Sequence, residues 1–341
     1  MHGSRIALDV MGGDMAPDAL LSGAHMACDP LGGLRMAPER IMLVGNQEVI
    51  GPWLAEHGDP GFALEHAPEA IGMEESPSAA LRAKPRSSIA VGVQAVRDGS
   101  AGAFVSMGNT GAVVGASTIG LGTLEGVRRP GIAVTLELTG NPVTLLDMGA
   151  NIVPKPQHLA QYGVMGSTYM RDCLAVHEPR VALLNIGTEP SKGTELLKSA
   201  HGLLSEAPIN FVGNIEGGDI FRGSADVVVT DGFTGNVALK LLEDFSSFML
   251  HLVLSELKQH EVKWGPEALG RVRKQIDYAE YGGALLLGVK GTVVIGHGRS
   301  DANAVANALG LAARAMDSGV NDHIIQGFAG HPGASSQEAR T

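Results

Sequence analysis

Aromatic residues are scarce in this 341-residue chain, at 4%. A core built from it must be aliphatic. Cysteine is scarcer still, with only Cys28 and Cys173. No Cys-x-x-Cys pair and no Cys/His ligand spacing occurs, which argues against a disulfide framework and a structural zinc and fits a reducing, cytoplasmic setting. No run of some eighteen apolar residues exists, so no transmembrane helix is expected. The first residues pass directly into a strand pattern, so no signal peptide is expected either. Positive charge is also short: 25 Lys and Arg stand against 36 Asp and Glu, for a formal net charge of −11. That argues against nucleic acid as a partner, because phosphate backbones are met by basic faces. The small basic groups Arg82-Lys84-Arg86, Arg128-Arg129 and Arg271-Arg273-Lys274 read as solvated faces.

Apolar residues and glycine are plentiful. Hydrophobic residues make up 44% of the chain, enough for a full core, and there are 47 Gly, about twice the usual ~7% share. Apolar runs lie near 6–10, 41–44, 62–64, 103–106, 132–138, 144–148, 181–186, 209–212, 226–230 and 292–295, with helical patterns between most of them. This alternation predicts an α/β fold, a three-layer α/β/α sandwich around a mixed, largely parallel sheet. The runs 132–138 and 144–148, split by Thr139-Gly140-Asn141-Pro142, predict an antiparallel hairpin. A single domain over 1–330 is expected, with a disordered tail over 331–341. Residues 237–275 read as a protruding helical hairpin. Its body carries a broad apolar stripe that suits a core or dimer contact, and Val262 and Trp264 stand near its tip. A Trp beside lysines also suits a lipid headgroup zone.

Five strand-like runs end in small, polar, glycine-bearing turns that open helices. They include Ser106-Met107-Gly108-Asn109-Thr110-Gly111, Asn185-Ile186-Gly187-Thr188-Glu189, Thr230-Asp231-Gly232-Phe233-Thr234-Gly235-Asn236 and His297-Gly298-Arg299-Ser300-Asp301. The fifth is Asp9-Val10-Met11-Gly12-Gly13-Asp14. A helix N-terminus presents unpaired N–H groups and the positive end of the macrodipole, so it attracts anions. None of the five is a Walker A loop or a clean dinucleotide fingerprint. Together they point to a phosphate held where strand carboxyl ends converge.

These motifs, with Asp147-Met148-Gly149-Ala150-Asn151 and Tyr281-Gly282-Gly283-Ala284, appear in an order that strongly resembles the bacterial phosphate acyltransferases of phospholipid synthesis, the PlsX family. The resemblance runs from about residue 5 to residue 316. It departs at Val10, where Ala is usual, and over 81–88, which carries a Pro and fewer lysines. It implies that inorganic phosphate attacks the thioester of a long-chain acyl-acyl carrier protein, giving acyl phosphate and free carrier protein. A separate membrane glycerol-3-phosphate acyltransferase would use that product. The resemblance also implies a homodimer with an isopropylmalate-dehydrogenase-like fold. Neither cofactor nor metal is expected.

Because phosphate is the nucleophile, the protein needs donors rather than a nucleophile of its own, and no G-x-S-x-G elbow is present. Lys192 is the expected phosphate or oxyanion cation, placed at a helix opening. Asn236 and Asn109 are expected side-chain donors, with ordinary N-capping as the plain alternative. Thr234 and Thr110 can add hydroxyls, and Asp231 orients a donor or caps a helix. Gly108, Gly111, Gly187, Gly232 and Gly235 complete the turns. His297 is either a general acid toward the thiolate or a turn histidine. Asp9 and Asp14 read as loop organisers. Three competing functions share some of these features: a phosphotransacetylase using acyl-CoA, a metal-assisted NAD-dependent dehydrogenase, and a non-catalytic membrane scaffold. The scattered strand-end acids speak against the dehydrogenase, and the anion-suited turns against the scaffold.

Overall fold

The computed structural model describes residues 5–138, 140–259 and 282–329. They form two compact units, one of residues 5–130 and 282–329, the other of 131–138 and 140–259. In each unit a mixed, mostly parallel sheet is flanked by helices, so the expected α/β class is borne out.

The first unit holds β1 (Ile6–Asp9), β2 (Ile41–Gly45), β3 (Ala63–His66), β4 (Ala103–Ser106), β10 (Ala284–Leu287) and β11 (Thr292–Ile295). Their order is β3-β2-β1-β4-β11-β10. All pairs are parallel except β10–β11. The chain therefore leaves β1, β2, β4 and β11 at one edge. Its helices are α1 (Asp18–Cys28), α2 (Gln47–His57), α3 (Pro77–Ala83), α4 (Ser88–Arg97) and α5 (Thr110–Gly120), followed late in the chain by α10 (Ala302–Asp317) and α11 (Val320–Ala329). Strand β10 is not foreseen in the sequence. Its Ala-Leu-Leu-Leu run is as compatible with a buried helix as with a strand. Gly282 and Gly283, both at positive φ, start it sharply and leave it buried throughout.

The second unit holds β5 (Gly131–Leu138), β6 (Asn141–Leu146), β7 (Arg180–Leu184), β8 (Asn210–Ile215) and β9 (Val227–Val229) in the order β5-β6-β9-β7-β8. Strands β5 and β6 make the expected antiparallel hairpin, and the other pairs are parallel. Helices α6 (Pro156–Leu174), α7 (Glu195–Glu206), α8 (Gly217–Phe221) and α9 (Gly232–Gln259) complete the unit. The cores are aliphatic, as the composition requires. Part of the glycine excess lies inside helices that press on strands: a Cβ at Gly92 of α4 would strike Phe104, and one at Gly166 of α6 would strike Val227. The tip of the expected hairpin, the start of the Tyr281 motif and the C-terminal tail lie outside the described residues.

Candidate active site

In the first unit three of the expected turns meet. Asp9 ends β1 fully buried, and its carboxylate accepts the Ser106 hydroxyl at 2.7 Å and the Met11 N–H at 3.0 Å. Burial pushes this carboxyl above the usual range, against the hydrogen bonds of Ser88, Ser106, Met11 and Gly12. The Ser106 hydroxyl accepts the Gly108 N–H at 3.0 Å. Gly12 and Gly108 pack face to face, for a Cβ on Gly12 would lie 2.9 Å from the Gly108 Cα. Asp14 donates its N–H to the Gly298 carbonyl at 2.7 Å, which ties the loop after β1 to the loop after β11. The Asp9 side chain thus holds the loop after β1, while Asp14 contributes its backbone N–H to the tie.

Asn109 is fully employed. Its Oδ1 caps α5 by accepting the Ala112 N–H at 3.1 Å, and its Nδ2 faces the carbonyls of Gly72, Met73 and Glu75 at 3.0–3.3 Å. The capping alternative wins for this side chain, because both of its ends are spent on the protein. Thr110 and Gly111 follow it exposed, and among the described residues their N–H groups have no partner. His297 accepts the Arg299 N–H on Nδ1 at 3.1 Å. With Nδ1 accepting, the neutral tautomer that fits this bond carries its proton on Nε2.

In the second unit the loops after β6, β9, β7 and β8 emerge at one edge, since these strands are parallel. Helix α9 begins at Gly232, not at Val237 as the apolar pattern suggests. Asp231 is its cap: Oδ1 accepts the Thr234 N–H at 2.9 Å and Oδ2 the Thr234 hydroxyl at 2.7 Å. Gly232 donates its N–H to the Asn151 carbonyl at 3.0 Å. The free first-turn donors expected here are therefore mostly taken, and the Thr234 hydroxyl proton with them. The Phe233 N–H and the exposed Asn236 amide have no partner among the described residues.

Lys192 does not open a helix. It lies in a turn whose Glu189 carbonyl accepts its N–H at 3.0 Å, and α7 starts later, capped by Thr194. Thr194 and Gly193, the latter at φ +86°, redirect the chain before the helix can form. Two strand-end asparagines grip this turn. Asn185 donates to the Lys192 carbonyl at 3.1 Å, and Asn214 donates to the Glu189 carbonyl at 2.9 Å. Gly187 is buried beneath the Lys192 stem. The Lys192 side chain is exposed and makes no ion pair among the described residues. The gripping role of Asn214 had no sequence signal, since it depends on β8 lying beside β7. Among the described residues no group of three or more His, Cys, Asp or Glu could hold a metal. No helix there is long and apolar enough to cross a membrane.

A family described as a fatty acid synthesis protein matches residues 4–323. A relative from Desulforamulus reducens, named phosphate acyltransferase, is 45% identical over 93% of this chain and 95% of its own. Another of that name, from Heliobacterium modesticaldum, is 44% identical over 96% and 97%. The chain belongs to the phosphate acyltransferase family. Among solved structures, a phosphotransacetylase from Streptococcus pyogenes superposes with a TM-score of 0.62 at 15% identity, over 92% of this chain and 94% of that one. A branched-chain phosphotransacylase from Enterococcus faecalis V583 gives 0.56 at 15%, over 91% and 99%. At that identity the likeness speaks to fold alone. For this family member the expected acyltransferase class stands.

Proposed function

We propose that the chain transfers a long-chain acyl group from acyl carrier protein to inorganic phosphate. A phosphate oxygen forms the new bond to the carbonyl carbon, the carbon–sulfur bond breaks, and the carrier thiolate leaves and takes a proton from solvent. The products are acyl phosphate and free carrier protein, and the acyl phosphate feeds a separate membrane glycerol-3-phosphate acyltransferase. The observation that carries this reading is the family membership, with relatives of that name aligned over more than nine-tenths of the chain.

The geometry supports it. Lys192 and Asn236 are exposed donors whose side chains have no partner among the described residues, and they follow β7 and β9, neighbouring parallel strands. We assign them to the phosphate and to the oxyanion of the tetrahedral intermediate, where one donor typically contributes ~3–4 kcal/mol. Gly187, Asp231, Gly232, Thr234 and Gly235 shape the turns that carry them. In the first unit the N–H groups of Thr110 and Gly111 have no partner among the described residues, Gly108 gives its N–H to Ser106, Asn109 fixes their loop, and His297 braces the Arg299 turn. A cysteine nucleophile is not needed, and burial pushes the Cys28 thiol up to about 11, with Glu39 adding to the rise.

The acyl chain has a natural path. Phe233, Val237, Leu241, Phe245, Phe248 and Leu252 are exposed along α9 at helical spacing, starting in the turn that carries Asn236. At 1.5 Å per residue the stripe runs roughly 28 Å, more than the ~15 Å that one chain occupies in a bilayer leaflet. Such a stripe suits a long acyl chain better than acetyl. Homodimer formation and peripheral membrane contact through Val262 and Trp264 belong to the same proposal.

The test is an incubation of the purified protein with long-chain acyl-acyl carrier protein, with and without inorganic phosphate. Acyl phosphate is trapped with hydroxylamine, and the free carrier thiol is followed. Phosphate-dependent appearance of both is expected. Release from acyl-CoA but not from the carrier would move the donor to coenzyme A, and release from neither would remove the proposal's support.

A further inference from the structure

Asp147 ends β6 with no exposed surface, yet the reaction as written does not use it. Its Oδ1 accepts N–H groups from Ile132 at 3.0 Å, Gly149 at 3.2 Å and Ala150 at 2.9 Å. Its Oδ2 accepts the Asn151 N–H at 2.8 Å and the Asn151 Nδ2 at 3.3 Å. Five N–H donors thus converge on one carboxylate. Burial pushes the carboxyl upward, while the bonds from Ala150, Ile132 and Asn151 hold it down. A buried charge is a costly way to close a loop, so what the loop does is informative.

The loop meets the start of α9 at three places. The Asn151 carbonyl accepts the Gly232 N–H at 3.0 Å. Gly235 lies so close on the Asp147 carbonyl that a Cβ there has no room. Gly149, at φ +127°, faces the Asn236 side chain, with its virtual Cβ 3.5 Å from the Asn236 Cβ. The far side of the loop is tied down as Asn151 Nδ2 donates to the hydroxyl of fully buried Tyr162 at 2.8 Å.

We propose that Asp147 is a positioning residue for the reaction: its carboxylate folds the 148–151 loop into the bed that sets the height and direction of Asn236. The inference rests on Asn236 being a phosphate or oxyanion donor. It specifies an anion, not merely a polar side chain. In Asp147→Asn the amide NH2 meets N–H donors whichever way it is turned. The loop must then shift, and Asn236 shifts with it.

The experiment is a double-mutant cycle of Asp147→Asn with Asn236→Ala, read as kcat and KM for phosphate and for acyl-acyl carrier protein. Asp147→Asn is expected to lower kcat at least ~10-fold, since misplacement by ~1 Å can cost ~100-fold, with KM for the acyl carrier held. In the Asn236→Ala background the same change is expected to cost less than ~3-fold, because its target is gone. Equal cost in both backgrounds would overturn the positioning role and leave the role of Asn236 intact. Near-normal turnover of Asp147→Asn alone would also overturn it. Near-normal turnover of Asn236→Ala would overturn both readings. Should Asp147→Asn fail to fold by circular dichroism, Asn151→Ala replaces it in the same cycle, removing one donor and the tie to Tyr162.

Discussion

Gly232→Ala tests the bed beneath α9 directly. A Cβ at Gly232 would lie 2.6 Å from the Asn151 carbonyl oxygen, 2.8 Å from its carbonyl carbon and 2.9 Å from its nitrogen. The closest of these is roughly 1 Å short of ordinary contact. All three atoms are backbone, so no rotamer change relieves the overlap. Alanine by itself would favour the helix by up to ~1 kcal/mol over glycine. Overpacking costs ~1–3 kcal/mol, and the Gly232–Asn151 hydrogen bond, worth ~1 kcal/mol, is strained at the same time. The net expectation is a loss of ~1–3 kcal/mol, a few degrees in melting temperature for a chain of this size. Turnover should suffer more. Helix α9 must back away by roughly 1 Å, carrying Asn236 with it, and such a displacement can cost ~100-fold. The assay is thermal melting by circular dichroism beside phosphate-dependent release of the carrier thiol. Gly202→Ala is the control. It is exposed within α7 with open space at its Cβ, so turnover should hold and the melting temperature should stay level or rise. Full turnover and an unmoved melting temperature in Gly232→Ala would refute the reasoning, because the overlap would then be absorbed without moving α9.

Lys192→Ala and Asn236→Ala should each cut turnover at least ~100-fold as lost oxyanion-type donors; normal rates in both would remove them from the site. Asp9 has its carboxyl raised by burial, so the folded state binds the proton more tightly than the unfolded chain. This group's contribution is present below the unfolded value near ~4 and is lost as pH rises through the folded one. Asp9→Asn should therefore gain stability relative to the parent as pH rises from about 4 in urea titrations, and parallel profiles would contradict it. A Cys28→Ser, Cys173→Ser double variant should keep full turnover; its loss would point to a thiol nucleophile. Val262→Asp with Trp264→Asp should lower co-sedimentation with anionic liposomes, and unchanged sedimentation would sink the membrane contact.

The local patterns carried far in this chain. Apolar runs of β-branched and aliphatic residues fixed most strand positions, because a strand buried on both faces has no polar position to confuse the pattern. Asp231 and Asn109 stood as possible caps, as short polar side chains can reach the N–H groups of the first turn, and both do so; Asp301 caps α10 in the same way. Membership of the phosphate acyltransferase family was legible in the ordered glycine-bearing turns.

Other features depend on partners distant in sequence. Whether Asn109 was a cap or a substrate donor turned on the carbonyls at 72–75, which reach it only in the folded unit. Gly193 and the capping Thr194 mark the turn at Lys192 locally, but that Asn185 and Asn214 hold it together depends on β7 and β8 lying side by side. Strand β10 exists because β11 pairs with its Ala-Leu-Leu-Leu run. Asp147 looked like one more strand-end acid until five N–H donors from Ile132, Gly149, Ala150 and Asn151 closed on it. Sequence by itself determined the kinds of turn and the chemistry they suit, because capping and burial patterns are local. Which donors stay free to meet a substrate was decided only by tertiary structure, because every buried N–H and carbonyl must first find its partner within the fold.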